Sequence, residues 1–234
     1  MTATSNVFSP KSVAENQADT KMSFKDSFPF PGVIVVMGKR GSGKTATAMW
    51  VMEQYHKKNP KIGGVVHKAP SAMRKLLPNW VQTTRNIKHI PHNSVVIIDE
   101  AQQSANARRS SSNDNLDLAN LVALSRQCNQ LIILISHHSR KLDMVDIMDA
   151  SRIIWKSPTV GQIMFERKEL QPFCQRAVMK FQGLKGNKLK SAYVMDFENL
   201  RFGFTPAKMP DFWNNGISTG MADMANINGS GTLL

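Results

Sequence analysis

Short apolar runs alternate with amphipathic segments along most of the chain. The apolar runs are rich in β-branched residues and too short for buried helices, which predicts strands at 33–37, 61–68, 94–103, 131–140 and 151–156. Apolar positions recur at helical spacing between these runs, which predicts helices at 45–58, 115–129 and 142–150. Strands that alternate with helices predict an α/β fold with a mostly parallel, doubly wound sheet flanked by helices.

The pattern changes towards both ends of the chain. Residues 1–27 are polar and lack periodicity, which predicts a flexible N-terminal arm, and the small polar residues of 218–234 predict a mobile tail. Residues 28–217 are predicted to form one domain, with a core at 30–157 and a basic C-terminal extension at 158–217. In that extension we predict a basic amphipathic helix at about 162–181 and a strand at 191–197.

The composition is that of a globular protein rather than a membrane or disulfide-rich one. The chain has 234 residues, of which 41% are apolar, so it has room for one sizeable core. No apolar run approaches the roughly 20 residues that span a bilayer, and the N-terminus lacks the features of a signal peptide. Cys128 and Cys174 have no metal-ligating partners at useful spacing. We therefore expect a protein that stays inside a cell, with no transmembrane segment of its own.

The chain is strongly basic, with a formal net charge of +13 and a pI near 10.0. The segment 39–88 holds eleven Lys and Arg residues against the single acid Glu53, and a second basic run lies at 180–190. Generic basicity is the alternative interpretation, but an excess of this size favours polyanionic partners such as nucleic acid.

The strand at 33–37 runs into a glycine-rich turn followed by a predicted helix. Gly38, Gly43, Lys44 and Thr45 satisfy the pattern G-x-x-x-x-G-K-[ST] in the strand–turn–helix context that it requires. Backbone N–H groups of such a loop converge on a phosphate, Lys44 would reach the β- and γ-phosphates, and Thr45 would ligate Mg²⁺. The predicted ATP-binding residues are Gly38, Gly41, Ser42, Gly43, Lys44, Thr45 and Ala46.

Two acids follow the apolar run of the third strand. Asp99 would hold Mg²⁺, and Glu100 would orient or deprotonate the water that attacks the γ-phosphate. The fourth strand leads to His137, which we expect beside the P-loop strand and directed at the γ-phosphate as a sensor. His137 and His138 are adjacent on a strand and face opposite sides, so they do not form a ready metal pair.

The P-loop, the sequence IIDEAQ and the phrase SRQCNQLIILISH together resemble the FtsK/HerA superfamily of DNA-pumping ATPases over residues 30–157. Within it, the chain is most similar to the viral genome-packaging branch, which is related to the zonula-occludens-toxin-like assembly ATPases. The family phrase has an Arg followed eleven positions later by a polar residue, usually Gln, and here Arg126 and His137 stand at that separation.

The resemblance implies a homohexameric ring that translocates double-stranded DNA with ATP and Mg²⁺ and packages a viral genome into a preformed capsid. Capsid-vertex or viral membrane proteins are its implied partners, and its implied location is the host cytoplasm or the packaging vertex of the virion. We expect Arg126 near the end of the sheet where nucleotide binds, supplying an arginine finger to the neighbouring subunit. The alternatives for that finger are Arg140, Arg152 and Arg40.

Other functions share parts of this site. The polar loop at 101–114 could carry nucleotide state to the DNA, or be an ordinary surface loop. A filamentous-phage-type assembly ATPase, a partition ATPase and a helicase loader all share the site chemistry. A nucleotide kinase shares the P-loop, but Asp99 and Glu100 favour attack by water, and no Arg-rich lid is evident. A basic scaffold with a vestigial loop is the remaining alternative.

Overall fold

A computed structural model describes residues 9–99 and 112–217 of the chain. The strands of this part are β1 Gly32–Gly38, β2 Gly63–His67, β3 Val81–Thr84, β4 Ser94–Asp99, β5 Gln130–Ser136, β6 Arg152–Lys156, β7 Ser191–Asp196 and β8 Arg201–Pro206. They form an eight-stranded sheet in the order β3-β2-β4-β5-β1-β6-β7-β8. The pairs among β1 to β6 are parallel, whereas β7 and β8 are antiparallel to their neighbours. The predicted α/β fold with a mostly parallel sheet is confirmed.

Helices cover both faces of the sheet. They are α1 Pro10–Asn16, α2 Phe24–Ser27, α3 Lys44–Lys58, α4 Ser71–Arg74, α5 Ser112–Leu124, α6 Met144–Met148, α7 Val160–Phe165 and α8 Gln171–Gly183. Alternate residues of β1 enter two different cores: Ile34 and Val36 pack with α3, and Val33 and Val35 pack on the side of α5 and α8. Because successive side chains of a strand point to opposite faces, a central strand covered on both sides is apolar throughout.

The strand order determines which loops meet. β1, β4 and β5 are parallel neighbours, so they all end at one edge of the sheet, here called the carboxyl edge. The opposite edge, where these strands begin, is called the amino edge. In β5, Leu131 pairs with Gly32 and Ser136 with Met37, so the strand that leads to His137 lies beside the P-loop strand as predicted.

The single long helix predicted at about 162–181 is wrong. The chain forms α7 and α8, separated by a break around Glu166. Pro172 lies in the first turn of α8, where its missing N–H costs nothing, whereas inside a helix it would remove a hydrogen bond. The fully buried Glu166 carboxylate accepts from the N–H of Ser139 at 3.0 Å and of Arg167 at 3.0 Å, which fixes the break.

The prediction of a flexible arm over residues 1–27 is wrong for residues 9–27. Ala14 of α1 is buried, and α1 packs against α8. Ser23 and Asp26 form a capping box on α2. A short polar sequence can fold in this way because its contacts are made to distant parts of the chain rather than along its own helix. Residues 1–8 lie outside the described residues.

The end of the described chain extends the sheet. The predicted strand at 191–197 is confirmed as β7, and β8 follows it in an antiparallel hairpin that the sequence did not predict. The short edge strand β3 was not predicted either. Residues 207–217 return to α3, where Lys57 pairs with Asp211 at 2.5 Å. The predicted tail at 218–234 lies outside the described residues.

Candidate active site

The loop between β1 and α3 has the shape of a P-loop. Gly41 and Gly43 have φ of +74° and +82°, a region that residues with a Cβ rarely adopt. Gly38 is required for a different reason, because a Cβ there would lie 2.0 Å from the backbone oxygen of Lys156. Ser42 lies between the glycines, and its buried Oγ has no hydrogen-bond partner within the described residues. Ala46 is buried in the first turn of α3.

Lys44 begins α3 and turns back over the loop. Its Nζ donates to the carbonyl oxygens of Gly38 at 2.9 Å and Lys39 at 3.0 Å. Lys44 as a whole is only 7% exposed, so its ammonium group is confined at the mouth of the loop. Together with the backbone N–H groups of the first turn of α3, it creates a site of positive potential suited to a polyphosphate.

The two predicted Mg²⁺ ligands are brought together from distant parts of the sequence. Thr45 Oγ1 donates to Asp99 Oδ2 at 2.9 Å, and Asp99 is largely buried at the end of β4. A hydroxyl and a carboxylate are the hard oxygen ligands that Mg²⁺ prefers, and Mg²⁺ usually retains waters and phosphate oxygens for its other positions. The donor set therefore fits Mg²⁺. Among the described residues, no group of three or more His, Cys, Asp or Glu could form an all-protein metal site.

His137 lies directly against the P-loop lysine. Its Nδ1 is 3.3 Å from Lys44 Nζ, and since an ammonium can only donate, Nδ1 is the acceptor and the ring proton is on Nε2. The carbonyl of His137 accepts from Gln162 Nε2 at 2.6 Å, which connects the end of β5 to α7. The structure thus confirms where His137 lies, and its role as a sensor stays a prediction.

Arg126 does not lie where the sequence analysis expected it. It precedes β5 and is therefore at the amino edge, whereas the P-loop is at the carboxyl edge, roughly 20 Å away along a strand of seven residues. Its side chain is 73% exposed and pairs with Glu198 at 3.2 Å. An arginine so placed cannot reach the nucleotide of its own subunit, but it is accessible to another.

The alternative arginines occupy different environments. Arg152 is buried at the amino edge, where it pairs with Asp196 at 2.9 Å and Glu198 at 3.0 Å. Arg140 is exposed at the carboxyl edge and donates to the carbonyl of Glu166 at 3.3 Å. Arg40 is exposed within the P-loop itself. Of these three, Arg140 and Arg40 lie on the nucleotide side of the sheet.

Two predicted features lie outside the described residues. Glu100, the proposed activator of the attacking water, directly follows Asp99 in the sequence, and its role stays a prediction. Most of the polar loop at 101–114 is outside as well, since the described residues resume at 112.

The sequence analysis missed Lys156, which ends β6 beside the P-loop. The residue is fully buried, and its Nζ donates to the carbonyl oxygens of Leu189 at 2.8 Å and Ser191 at 2.9 Å. Burial without a carboxylate partner lowers the pKa of the Lys156 ammonium to about 8. Lys156 thus joins the P-loop strand to the basic turn before β7. In the sequence, Lys156 is only a lysine at the end of an apolar strand, and lysines in that position are common on protein surfaces.

This fold and site define a P-loop nucleoside triphosphatase. A family model described as "AAA: ATPase family associated with various cellular activities" matches residues 34–156, from β1 through the end of β6. The match covers more than half of the chain, and the chain belongs to this family and is an ATPase.

Solved structures with the same fold include a viral enzyme. The genome packaging NTPase B204 from Sulfolobus turreted icosahedral virus 2, in complex with sulfate and in complex with ATP-gammaS, aligns in each case with a TM-score of 0.52 and 13% identity, over 76% of this chain and 98% of that chain. EssC (ATPases 2 and 3) from Geobacillus thermodenitrificans aligns with a TM-score of 0.50 and 8% identity, over 86% of this chain and 45% of that chain. At these identities the similarity concerns the fold alone. No curated protein sequence matches the chain.

Over residues 9–99 and 112–217, no helix is both long enough and apolar enough to cross a lipid bilayer.

Proposed function

We propose that this ATPase translocates double-stranded DNA and packages a viral genome into a preformed capsid, acting as a homohexameric ring at a capsid vertex. The proposal combines the described nucleotide site with the FtsK/HerA-superfamily resemblance. The fold shared with B204, a genome packaging NTPase, agrees with it.

The observation that carries the proposal is the position of the basic residues relative to the nucleotide. Exposed cations follow or precede the strand ends at the carboxyl edge, on the same side as the P-loop: Lys39, Arg40, Arg85, Lys88, Arg140, Lys141, Lys185, Lys188, Lys190 and Lys208. At the amino edge the arginines are instead paired with acids, as in Arg126–Glu198, Arg152–Asp196 and Arg201–Asp26, although Lys25, Lys58 and Lys61 are exposed there as well. The group of exposed cations beside the P-loop therefore favours a polyanion at the edge where ATP binds.

The geometry suggests how hydrolysis would proceed. The P-loop N–H groups and Lys44 would bind the triphosphate, and Thr45 and Asp99 would hold Mg²⁺, which supplies charge neutralisation on the β- and γ-phosphates. Glu100 would act on the attacking water. His137 would respond to the loss of the γ-phosphate, because it contacts the same ammonium that the phosphate would contact.

The test is ATP turnover with and without double-stranded DNA across a range of salt concentrations. We expect duplexes of unrelated sequence to stimulate turnover equally, because phosphate contacts position a protein without reading bases. Binding should weaken by orders of magnitude between about 50 and 200 mM salt. Salt-independent binding, or stimulation by single strands only, would contradict the proposal.

The competing functions give different results in the same assay. A nucleotide kinase would transfer phosphate to an added nucleoside monophosphate and would not respond to DNA. A helicase loader would favour single-stranded DNA. Electron microscopy of the protein with an ATP analogue and duplex DNA would test the ring, since a closed ring with central density is expected.

A further inference from the structure

A second positively charged site lies on the carboxyl edge, at a distance from the P-loop. It is a cleft of about 220 Å³ beyond the ends of β2 and β3, and its charged walls are formed by Lys68, Arg85, Lys88 and Asp117. In the sheet, β2 is separated from β1 by β4 and β5. Three strand spacings place the cleft roughly 14 Å from the P-loop strand, so it is not part of the triphosphate site.

The backbone holds the three cations around one cavity. Lys68 has a φ of 53°, and its N–H donates to the carbonyl of Thr84 at 2.7 Å, which joins the ends of β2 and β3. Asn86 then caps a short 3-10 helix by accepting from the N–H of Lys88 at 2.9 Å. Arg85 lies between these two fixed points. The three side chains therefore start from ordered turns rather than from an irregular loop.

The charge of the cleft calls for an anionic ligand. Among the described residues of the lining, Lys68, Arg85 and Lys88 are cationic, and Asp117, which lies 3.4 Å from Lys88 Nζ, is anionic. Like charges around one cavity repel each other, and a bound anion relieves that repulsion. An Arg fork beside Lys point charges is the combination that recognises phosphate oxygens.

The described lining also disfavours several ligand classes. Among the described residues of the cleft, Ile87 is the only large apolar side chain, and none is Phe, Tyr or Trp. Adenine rings, unpaired bases and lipid tails bind to apolar or aromatic surfaces, which these residues do not offer. A phosphate group in the backbone of a nucleic acid needs neither an apolar nor an aromatic surface.

We propose that the cleft formed by Lys68, Arg85 and Lys88 is a phosphate-binding site that contacts the backbone of nucleic acid independently of the P-loop. The inference rests on the proposed function for the source of the phosphate, which is duplex DNA. The site gives the motor a sequence-independent contact on the same edge as the ATP, beside the strand β4 that carries Asp99.

The test compares two triple variants that remove the same charge. The cleft variant carries Lys68→Gln, Arg85→Gln and Lys88→Gln. The control carries Lys25→Gln, Lys58→Gln and Lys61→Gln, which are exposed and lie near α2 and the start of β2 at the amino edge. Binding of a short fluorescent duplex is measured by anisotropy over a range of salt concentrations, and thermal unfolding midpoints check that both variants are folded.

We expect the cleft variant to bind the duplex at least about tenfold more weakly. The magnitude of the slope of log K against log salt should fall by about 2 to 3, because each lost phosphate contact reduces that magnitude by about 0.9. The control should change the slope by less than about 1. Asp117→Asn removes the acid that pairs with Lys88 in the described lining of the cleft and should strengthen binding. Equal slopes for the two triple variants, or weaker binding by Asp117→Asn, would overturn the inference while leaving the proposed function intact.

A second measurement distinguishes duplex DNA from a free phosphate ion as the ligand of the cleft. Inorganic phosphate is titrated calorimetrically into protein carrying Lys44→Ala, which disables the P-loop, with and without the cleft substitutions. If the unaltered protein binds no duplex, the proposed function is wrong. In that case, phosphate binding that depends on the cleft identifies a free anion as the ligand, and its absence overturns the site as well.

Discussion

Lys44 and the predicted catalytic Glu100 differ in the species that each would stabilise. Lys44 Nζ is bonded to the carbonyls of Gly38 and Lys39, and the oxygens of a triphosphate can replace these acceptors. The ammonium would thus favour both bound ATP and the transition state. A carboxylate that acts on water favours the transition state only.

Lys44→Ala is therefore expected to abolish ATP binding, and Glu100→Gln to retain ATP without hydrolysing it. Loss of a general base lowers turnover by about 10² to 10⁴-fold. Binding of a fluorescent ATP analogue and release of phosphate are measured for both variants. Rapid hydrolysis by the Glu100→Gln protein would remove Glu100 from the mechanism.

For His137, the contact with Lys44 Nζ at 3.3 Å predicts an effect on turnover rather than on ATP affinity. A hydrogen bond to a charged group contributes about 1.5 to 3 kcal/mol, so His137→Ala should lower kcat by about 10 to 100-fold. Gln also offers an acceptor, and His137→Gln should restore most of the activity. Steady-state kinetics of the two variants test this prediction. An equal loss of kcat in both variants would show that His137 does not act as a hydrogen-bond acceptor for Lys44.

For Lys156, the lowered pKa predicts a dependence of stability on pH. Its pKa is about 8 in the folded protein, against the ordinary value of 10.5 for an exposed lysine, so the folded state binds fewer protons between these pH values. Stability must then rise as the pH increases from 8 to 10.5, by at most about 3 kcal/mol. Lys156→Met lacks this group, and the difference between the two unfolding free energies should change steadily over that window. A constant difference would mean that folding does not lower the pKa of Lys156.

At the scale of elements, α1 is held to the domain by α8 rather than by its own sequence. Arg176 of α8 is buried and donates to the carbonyl of Ala14 at 2.5 Å, to Asp19 at 2.6 Å and to the hydroxyl of Tyr193 at 2.7 Å. One guanidinium therefore connects α8 to two other segments, the N-terminal segment and β7. Its removal leaves the carbonyl of Ala14 without this donor, while Asp19 still accepts from Lys180 and from the hydroxyl of Tyr193.

Arg176→Met is expected to lower the free energy of unfolding by about 1 to 3 kcal/mol, because it leaves the carbonyl of Ala14 without its buried donor, whereas Asp19 keeps Lys180 as a partner. Lys180→Met is the matched control. Lys180 pairs with the same Asp19 at 2.7 Å but is 39% exposed, so its loss should cost less than about 1 kcal/mol. Chemical denaturation measures both, and similar costs would show that Arg176 does not hold the N-terminal segment.

At the scale of the whole molecule, the two edges of the sheet have different electrostatic character. The nucleotide site and many exposed cations share the carboxyl edge, whereas arginine and carboxylate residues pair at the amino edge. Arg126 is the most exposed arginine of the amino-edge pairs, with 73% of its side chain accessible. Because it cannot serve its own P-loop, a catalytic role would require a neighbouring subunit.

Subunit mixing tests that role. Lys44→Ala subunits retain Arg126, and Arg126→Ala subunits retain an intact P-loop, so a mixture should recover turnover that neither variant shows alone. An arginine finger contributes about 10³ to 10⁵ in rate, which makes recovery easy to detect. Glu198→Gln is a control, since it frees Arg126 from its ion pair without removing it. Near-normal turnover by Arg126→Ala would exclude the finger.

The sequence alone determined the central part of the fold and the chemistry of its site. The apolar runs of β1, β4 and β5 are continuous because both faces of these strands are covered, and this pattern is local in the chain. The P-loop was equally evident, since its glycines and Lys44 act within a few residues of one another. The short strands β3 and β8 and the break at Glu166 escaped prediction, because pairing and buried polar contacts stabilise them more than local pattern does.

Only the tertiary structure decided which distant residues meet. Asp99 lies 54 positions from Thr45 and His137 lies 93 positions from Lys44, and their contacts follow from a strand order that places β5 between β4 and β1. The same order placed Arg126 at the amino edge, against expectation, and buried Lys156 beside Gly38. A sequence records which side chains are present, but pairing between strands far apart in the chain sets which of them lie within reach of one phosphate.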